Sequence, residues 1–341
     1  MARALLVCAV LVVVVACRAA GESPAAGGVR VSDDLGRAVV LARPATRIAS
    51  LSPSNTEILF ALGCGERIVL RDRVSAHPPA ALRLPATSPF TLSAEHVAGF
   101  APDLVLLSHV DAQRLRALQQ AGLVAASFDP RTLEQLHGNI RAIGTLCGAE
   151  GPAARLVGEL RRRAEHAAAA VRGRARPKVY VETDGADPLK PWTAGPGSFV
   201  DELLQLAGGR NVASTLRRPY AQINAEEVFA AQPDVILLMG VEGELRLHRG
   251  APEGREPGEL RGHGLARLRG RPAWGSLEAV RRGRVIDTIH PDLLSRPGPR
   301  LVDGLEALAR ALHPEPSPTG PSAPSSPAPA GSSGSHPGAH R

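Results

Sequence analysis

The groups in this chain suited to chemistry are groups that bind rather than groups that react. The sequence holds no Gly-x-Ser-x-Gly elbow, no His-Glu-x-x-His helix, no Cys-x-x-Cys pair and no phosphate loop ending in Gly-Lys-Ser or Gly-Lys-Thr. Gly63-Cys-Gly65 follows a helical stretch, so it is a cap and turn rather than a dinucleotide fingerprint. His77, His96, His109, His137, His166, His248, His263 and His290 are scattered, with no pair at metal-ligand spacing, so no metal site is expected. His77 and His290 sit in loops able to face a cleft. Three aromatic residues, Phe90, Trp192 and Tyr220, precede helices in loops at predicted strand ends. There they either wall a ligand or plug a core. Asp292 and Arg296 lie in the last such loop, as a surface pair worth little or as contacts for the amide and hydroxyl groups of a large ligand. Glu95 and Glu226 stand in the first turns of two matched helices. The helix dipole favours a carboxylate there. Two carboxylates on one rim would also dock a partner carrying two basic pockets.

The elements that must position these groups are organised by a duplication. Ser93-Ala-Glu-His-Val-Ala-Gly-Phe-Ala-Pro-Asp-Leu-Val-Leu-Leu107 returns as Asn224-Ala-Glu-Glu-Val-Phe-Ala-Ala-Gln-Pro-Asp-Val-Ile-Leu-Leu238. Each copy opens on an N-cap, Ser93 or Asn224, runs through a short helix and breaks at Pro-Asp. Each ends in an apolar run without alternation, which suits a parallel strand covered on both faces. A ligand of such a doubled α/β fold would lie in the crevice at the carboxyl ends of the strands.

Taken in order, residues 29–40 predict a small edge hairpin. Residues 47–51 predict a strand, and Ser52-Pro53 starts a helix that ends at Gly63. Strands at 67–70 and 123–128 and helices at 112–121 and 132–146 complete a first lobe, 46–150. A long helical stretch from Pro152 to Val171, closed by Gly173, links it to a second lobe, 174–313. That lobe has strands at 178–183 and 284–289, helices from Ser198 and Arg300, and an enlarged loop over 241–272. The expected fold is α/β, two Rossmann-like lobes with mainly parallel sheets joined by one long rigid helix. Residues 314–341, almost all Pro, Ser, Gly and Ala, are expected to be disordered.

The formal charge of +7 is carried by scattered arginines, as in Arg161-Arg162-Arg163, and aromatic residues are 3% of the chain. Without aromatics interleaved among the basic residues, no nucleic-acid surface is expected. A solvated basic face is. The first 17 residues have a short positive start, an apolar core and Val14-Val15-Ala16-Cys17, and resemble a bacterial lipoprotein leader. The resemblance implies an exported chain lipidated at Cys17, with residues 18–45 as tether and edge hairpin. An ordinary cleaved leader is the alternative. Cys64 and Cys147 remain, as two buried thiols or as a disulfide if they meet.

Ile48-Ala-Ser-Leu-Ser-Pro-Ser-Asn-Thr-Glu-Ile58, the two Glu-x-Val…Pro-Asp repeats, Trp192-Thr-Ala-Gly-Pro-Gly197, Ala207-Gly-Gly-Arg-Asn211 and Arg296-Pro-Gly-Pro-Arg-Leu-Val-Asp-Gly-Leu305 together resemble the class III periplasmic solute-binding proteins of ABC importers, in particular their cobalamin-binding branch. The resemblance spans about residues 46 to 313. It implies a non-enzymatic monomer that holds cobalamin or a related corrinoid between two lobes and delivers it to a permease dimer. It further implies that Glu95 and Glu226 engage arginines of the two permease subunits, and that Trp192, Tyr220, Asp292 and Arg296 contact ligand. Where the family usually carries tyrosine before Pro78-Pro79, this chain has Val74-Ser-Ala-His77. Ser108 replaces an aromatic. Heme or a ferric siderophore is the alternative ligand, and a small enzyme on a doubly wound scaffold the remoter alternative.

Overall fold

A computed structural model describes residues 28–88, 93–108, 112–240 and 262–314. Cys17 and its leader, residues 18–27, Phe90, His109, the stretch 241–261 with His248, and the tail after residue 314 lie outside the described residues.

The chain enters through an antiparallel ribbon, β1 (Val29–Ser32) and β2 (Ala38–Leu41). Asp33 closes its turn by accepting from the Leu35 and Arg37 amides at 3.1 and 2.9 Å. The same carboxylate accepts from the Ser127 amide at 3.2 Å, which holds the ribbon at a sheet edge. Next come β3 (Ile48–Ser50), α1 (Pro53–Ala61), β4 (Ile68–Asp72), β5 (Ala86–Thr87), α2 (Ala94–Ala98), β6 (Leu104–Leu107), α3 (Ala112–Gln120), β7 (Ala125–Ser127) and α4 (Leu133–Leu146). Their strands form one sheet in the order β5-β4-β3-β6-β7, parallel throughout.

After α5 (Glu150–Ala170) the plan repeats. The elements are β8 (Lys178–Glu182), β9 (Trp192–Ala194), α6 (Phe199–Leu206), β10 (Arg210–Asn211), β11 (Tyr220–Gln222), α7 (Ala225–Ala231), β12 (Val235–Leu238), α8 (Gly264–Gly270), α9 (Glu278–Arg281), β13 (Val285–Ile286), α10 (Asp292–Ser295) and α11 (Leu301–Leu312). The second sheet, β10-β8-β12-β13, is also parallel. In each sheet the repeat strand, β6 or β12, lies beside the first strand, β3 or β8, and all four of its residues are buried. Helices on both faces account for that burial. The fold is α/β with two parallel sheets.

The duplication extends to individual bonds. Asp103 accepts from the Thr46 and Arg47 amides at 2.9 and 3.0 Å, and Asp234 from the Lys178 amide at 2.7 Å. In return, the amides of Asp103 and Asp234 donate to the carbonyls of Arg47 and Lys178, both at 2.8 Å. Arg47 also donates to the Phe100 and Ala101 carbonyls at 2.6 and 2.9 Å, and Lys178 to the Ala231 carbonyl at 2.6 Å. A cation thus closes the carbonyl end of each repeat helix. Ala101 and Gln232, each preceding the proline, both turn left-handed, at φ 47° and 44°. Loss of either latch, by Asp103→Ala or Asp234→Ala, is expected to cost about 1–2 kcal/mol in urea unfolding. The double variant should cost the sum, because the sites share no partner; a loss at one site alone would show that the latches are not equivalent.

The helix between the sheets begins two residues before Pro152, which therefore lies in the first turn, where its missing N–H costs nothing. Ala153, Val157, Leu160 and Ala167 form its buried stripe at helical spacing. It packs against both α4 and α11. The run Arg161-Arg162-Arg163, expected to be a solvated face, divides instead. Arg161 pairs with Glu134 of α4 at 2.6 Å, while Arg163 pairs with Asp303 and Glu306 of α11 at 2.5 and 2.9 Å. Residues two apart point about 200° around a helix, which puts these partners on different neighbours.

Candidate functional site

In parallel sheets of this order the crevice for a ligand opens beyond the carboxyl ends of the strands, where the connections leave in opposite directions. In the first sheet that point lies between β3 and β6. The chain there is polar yet closed. Ser50, Ser52, Ser54, Asn55, Thr56, Glu57, Asp72 and Ser75 are all buried. One hydrogen-bonded chain joins the loops after β3 and β4. Ser75 donates to Asp72 at 2.5 Å, which fixes its oxygen as acceptor for Thr56 at 3.2 Å; Thr56 in turn lies 2.8 Å from Ser50. Asn55 ties in the end of β6 by donating to the Leu107 carbonyl at 3.0 Å. Burial raises the Asp72 pKa against the pull of its hydrogen bonds from Ser75 and Val74. The network holds the loop that carries Val74 and His77.

Against this loop lies the last connection of the second lobe. Arg300 makes a two-pronged ion pair with Glu57 of α1, at 3.0 and 2.5 Å. Arg296 pairs with Asp292 at 3.0 Å and donates to the Val74 carbonyl at 3.4 Å. The half-buried His77 faces the same seam. Desolvation lowers its pKa, assisted by Arg300 and opposed by Glu57 and Asp292. The structure therefore brings His77, Asp292 and Arg296 together and adds Glu57 and Arg300, which the sequence reading did not single out. Both additions lie inside quoted segments, and the single charge within α1 was the available signal for Glu57. His290 caps α10, its ring accepting from the Asp292 amide at 3.2 Å.

Trp192 and Tyr220 are not in loops. They lie on β9 and β11, which pair antiparallel as a two-stranded ribbon leaving the carboxyl end of β8. The register sets Trp192 opposite Gln222 and Tyr220 opposite Ala194, so both aromatics fall on one face as diagonal neighbours. Trp192 is 43% exposed and Tyr220 44%, whereas Thr193 on the other face is fully buried. Desolvation nonetheless raises the Tyr220 hydroxyl pKa.

Glu182, at the end of β8, holds a buried salt bridge. Arg271 donates to both its oxygens, at 2.6 and 2.9 Å, and Arg267 comes within 3.6 Å. Arg271 also lies over the Trp274 ring, 5.2 Å from its centre. These groups support one another. Among the described residues no group of His, Cys, Asp and Glu is arranged to hold a metal ion.

Glu95 and Glu226 are exposed in the first turns of α2 and α7. Each helix runs back along the sheet before the following parallel strand, so each carboxylate stands at the strand carboxyl edge of its own lobe. Ser93 caps the first helix by accepting from the His96 amide at 3.1 Å; in the second, Glu227 accepts from the Asn224 amide at 2.9 Å. Glu227 is thus used by the fold, and Glu226 is not required as a cap.

The sequence matches the periplasmic binding protein family over residues 48–291. It is 26% identical over 296 residues to an uncharacterized ABC transporter substrate-binding lipoprotein of Bacillus subtilis, a match covering 84% of this chain and 86% of the relative. It is 26% identical over 273 residues to the vitamin B12-binding protein of Vibrio cholerae, covering 79% and 90%. Among solved structures, the periplasmic heme-binding protein RhuT from Roseiflexus superposes with a TM-score of 0.65 at 29% identity, covering 78% of this chain and 97% of that one.

Proposed function

The chain belongs to the periplasmic binding protein family, and on that premise we propose that it is the cargo-capturing component of an ABC importer whose ligand is cobalamin or a related corrinoid. The ligand lies between the lobes 46–150 and 174–313. It is stacked against Trp192 and Tyr220, with Phe90 as a further wall, and bounded at the seam by His77, Asp292 and Arg296. The observation that carries this reading is the pair of exposed aromatics on one face of the β9-β11 ribbon, beyond the carboxyl end of β8, where a doubly wound sheet would open to a ligand. Flat, amphipathic aromatic surface suits one face of a macrocycle. No bond is made or broken. The protein works as an exported monomer, held to the membrane through lipid on Cys17, and presents Glu95 and Glu226 to the two permease subunits.

Heme is the second reading. His77 favours it: desolvation lowers its pKa, and the neutral imidazole is the form that ligates iron. Calorimetric titration with cyanocobalamin and with hemin separates the two. One-to-one corrinoid binding, weakened about tenfold by Trp192→Ala and about tenfold by Tyr220→Ala, is expected. Tight hemin binding that is lost in His77→Ala, with no corrinoid signal, would reject the corrinoid assignment.

A further inference from the structure

Cys64 and Cys147 meet in the core of the first lobe. Cys64 follows the end of α1, and Cys147 is the residue that ends α4. Their relative exposures are 2% and 1%. Arg67 clamps the two backbones together, its amide donating to the Cys64 carbonyl at 3.1 Å and its guanidinium to the Cys147 carbonyl at 2.6 Å. The same guanidinium nitrogen reaches the Ala45 carbonyl at 3.0 Å. Across this clamp both side chains lie in one buried cluster of the first lobe, next to each other's charge environment. Both helices end at the amino edge of the sheet, opposite the crevice, so the pair has no part in ligand capture.

We propose that Cys64 and Cys147 are joined by a disulfide in the mature protein. The pairing is intramolecular, and export supplies an oxidising compartment. The Cys147 hydrogen bond, with help from Arg67 and against burial, lowers the Cys64 pKa to about 7. Cys147, bonded to Cys64 and buried, is raised. Cys64 is therefore the attacking thiolate. While the lobe is still folding, it attacks one sulfur of an oxidant of the disulfide class and releases the other as thiolate. Cys147 then yields its proton to solvent and attacks the Cys64 sulfur, releasing the second thiolate. Two protein thiols lose two protons and two electrons, and the oxidant's disulfide becomes two thiols. The bond links the end of α1 to the end of α4 and closes a loop holding β4, β5, β6, β7 and the helices between them. Its main action is to restrict the unfolded first lobe.

The test needs no ligand, and peptide mapping distinguishes a Cys64–Cys147 link from any link made by Cys8 or Cys17. The full chain is reduced, refolded in a mixture of reduced and oxidised glutathione, blocked with N-ethylmaleimide under denaturing conditions, and mapped by mass spectrometry. Chain recovered from the envelope of an exporting host is mapped alongside. In both preparations the Cys64 and Cys147 peptides should be linked, with two hydrogens lost, and should take up reagent only after reduction. Cys147→Ser should leave Cys64 carrying glutathione in the refolded sample. Complete alkylation of both thiols without reductant, in either preparation, would overturn the proposal.

Discussion

Alanine at both Glu95 and Glu226 should leave the affinity for cyanocobalamin within about twofold of wild type and reduce uptake by the reconstituted importer on the order of a hundredfold or more. Both carboxylates are exposed, and neither caps its own helix, so their removal leaves folding and the crevice intact. A permease contact through them would be two charge-assisted bonds at once, and losing one should weaken transport less than losing both. Calorimetry on the purified variant and uptake in vesicles measure the two quantities separately. Uptake at the wild-type rate in the double variant would remove these residues from docking while leaving the ligand assignment untouched.

Glu182→Ala should be the most damaging single change to stability, costing about 3–5 kcal/mol. Glu182 is 2% exposed and answers two guanidinium groups, Arg271 through both its oxygens and Arg267 at 3.6 Å. Truncation strands those charges in the wall beneath β8 and opens a cavity beside Tyr180 and Trp274. Thermal unfolding should fall on the order of 10 °C. Removing both partners, as Glu182→Met with Arg271→Met, should recover much of the loss, since apolar side chains of similar size carry no stranded charge. Equal destabilisation of the single and double variants would mean that shape rather than charge governs the site.

The parts of this fold that could be seen in the sequence are those whose signal is local. The helix, Pro-Asp turn and strand of each repeat are consecutive, so caps and periodicity are enough to place them. The edge hairpin and α5 were legible for the same reason. The β9-β11 ribbon was not, because Trp192-Thr-Ala194 and Tyr220-Ala-Gln222 are too short to show a period, and each becomes a strand only through the other. Partners separated by long stretches of chain, such as Glu57 and Arg300 or Cys64 and Cys147, leave no trace in spacing. The sequence places Asp292 and Arg296 in the last loop, as a surface pair or as ligand contacts, whereas Asp292 opens α10. That each is the other's partner, with Arg296 also reaching Val74, needed coordinates. A ligand that uses either group must therefore compete with, or extend, a bond already made.

Arg161 and Arg163 give α5 an unusual mechanical property. Because the two side chains leave nearly opposite sides of a single turn and grip different neighbours, rotating the rod about its axis would strain both grips together. Displacing α5 from its neighbours then demands work at two electrostatic rivets rather than the bending of a slack tether. Raising ionic strength, which weakens such rivets, should loosen the packing of α5 against α4 and α11 together.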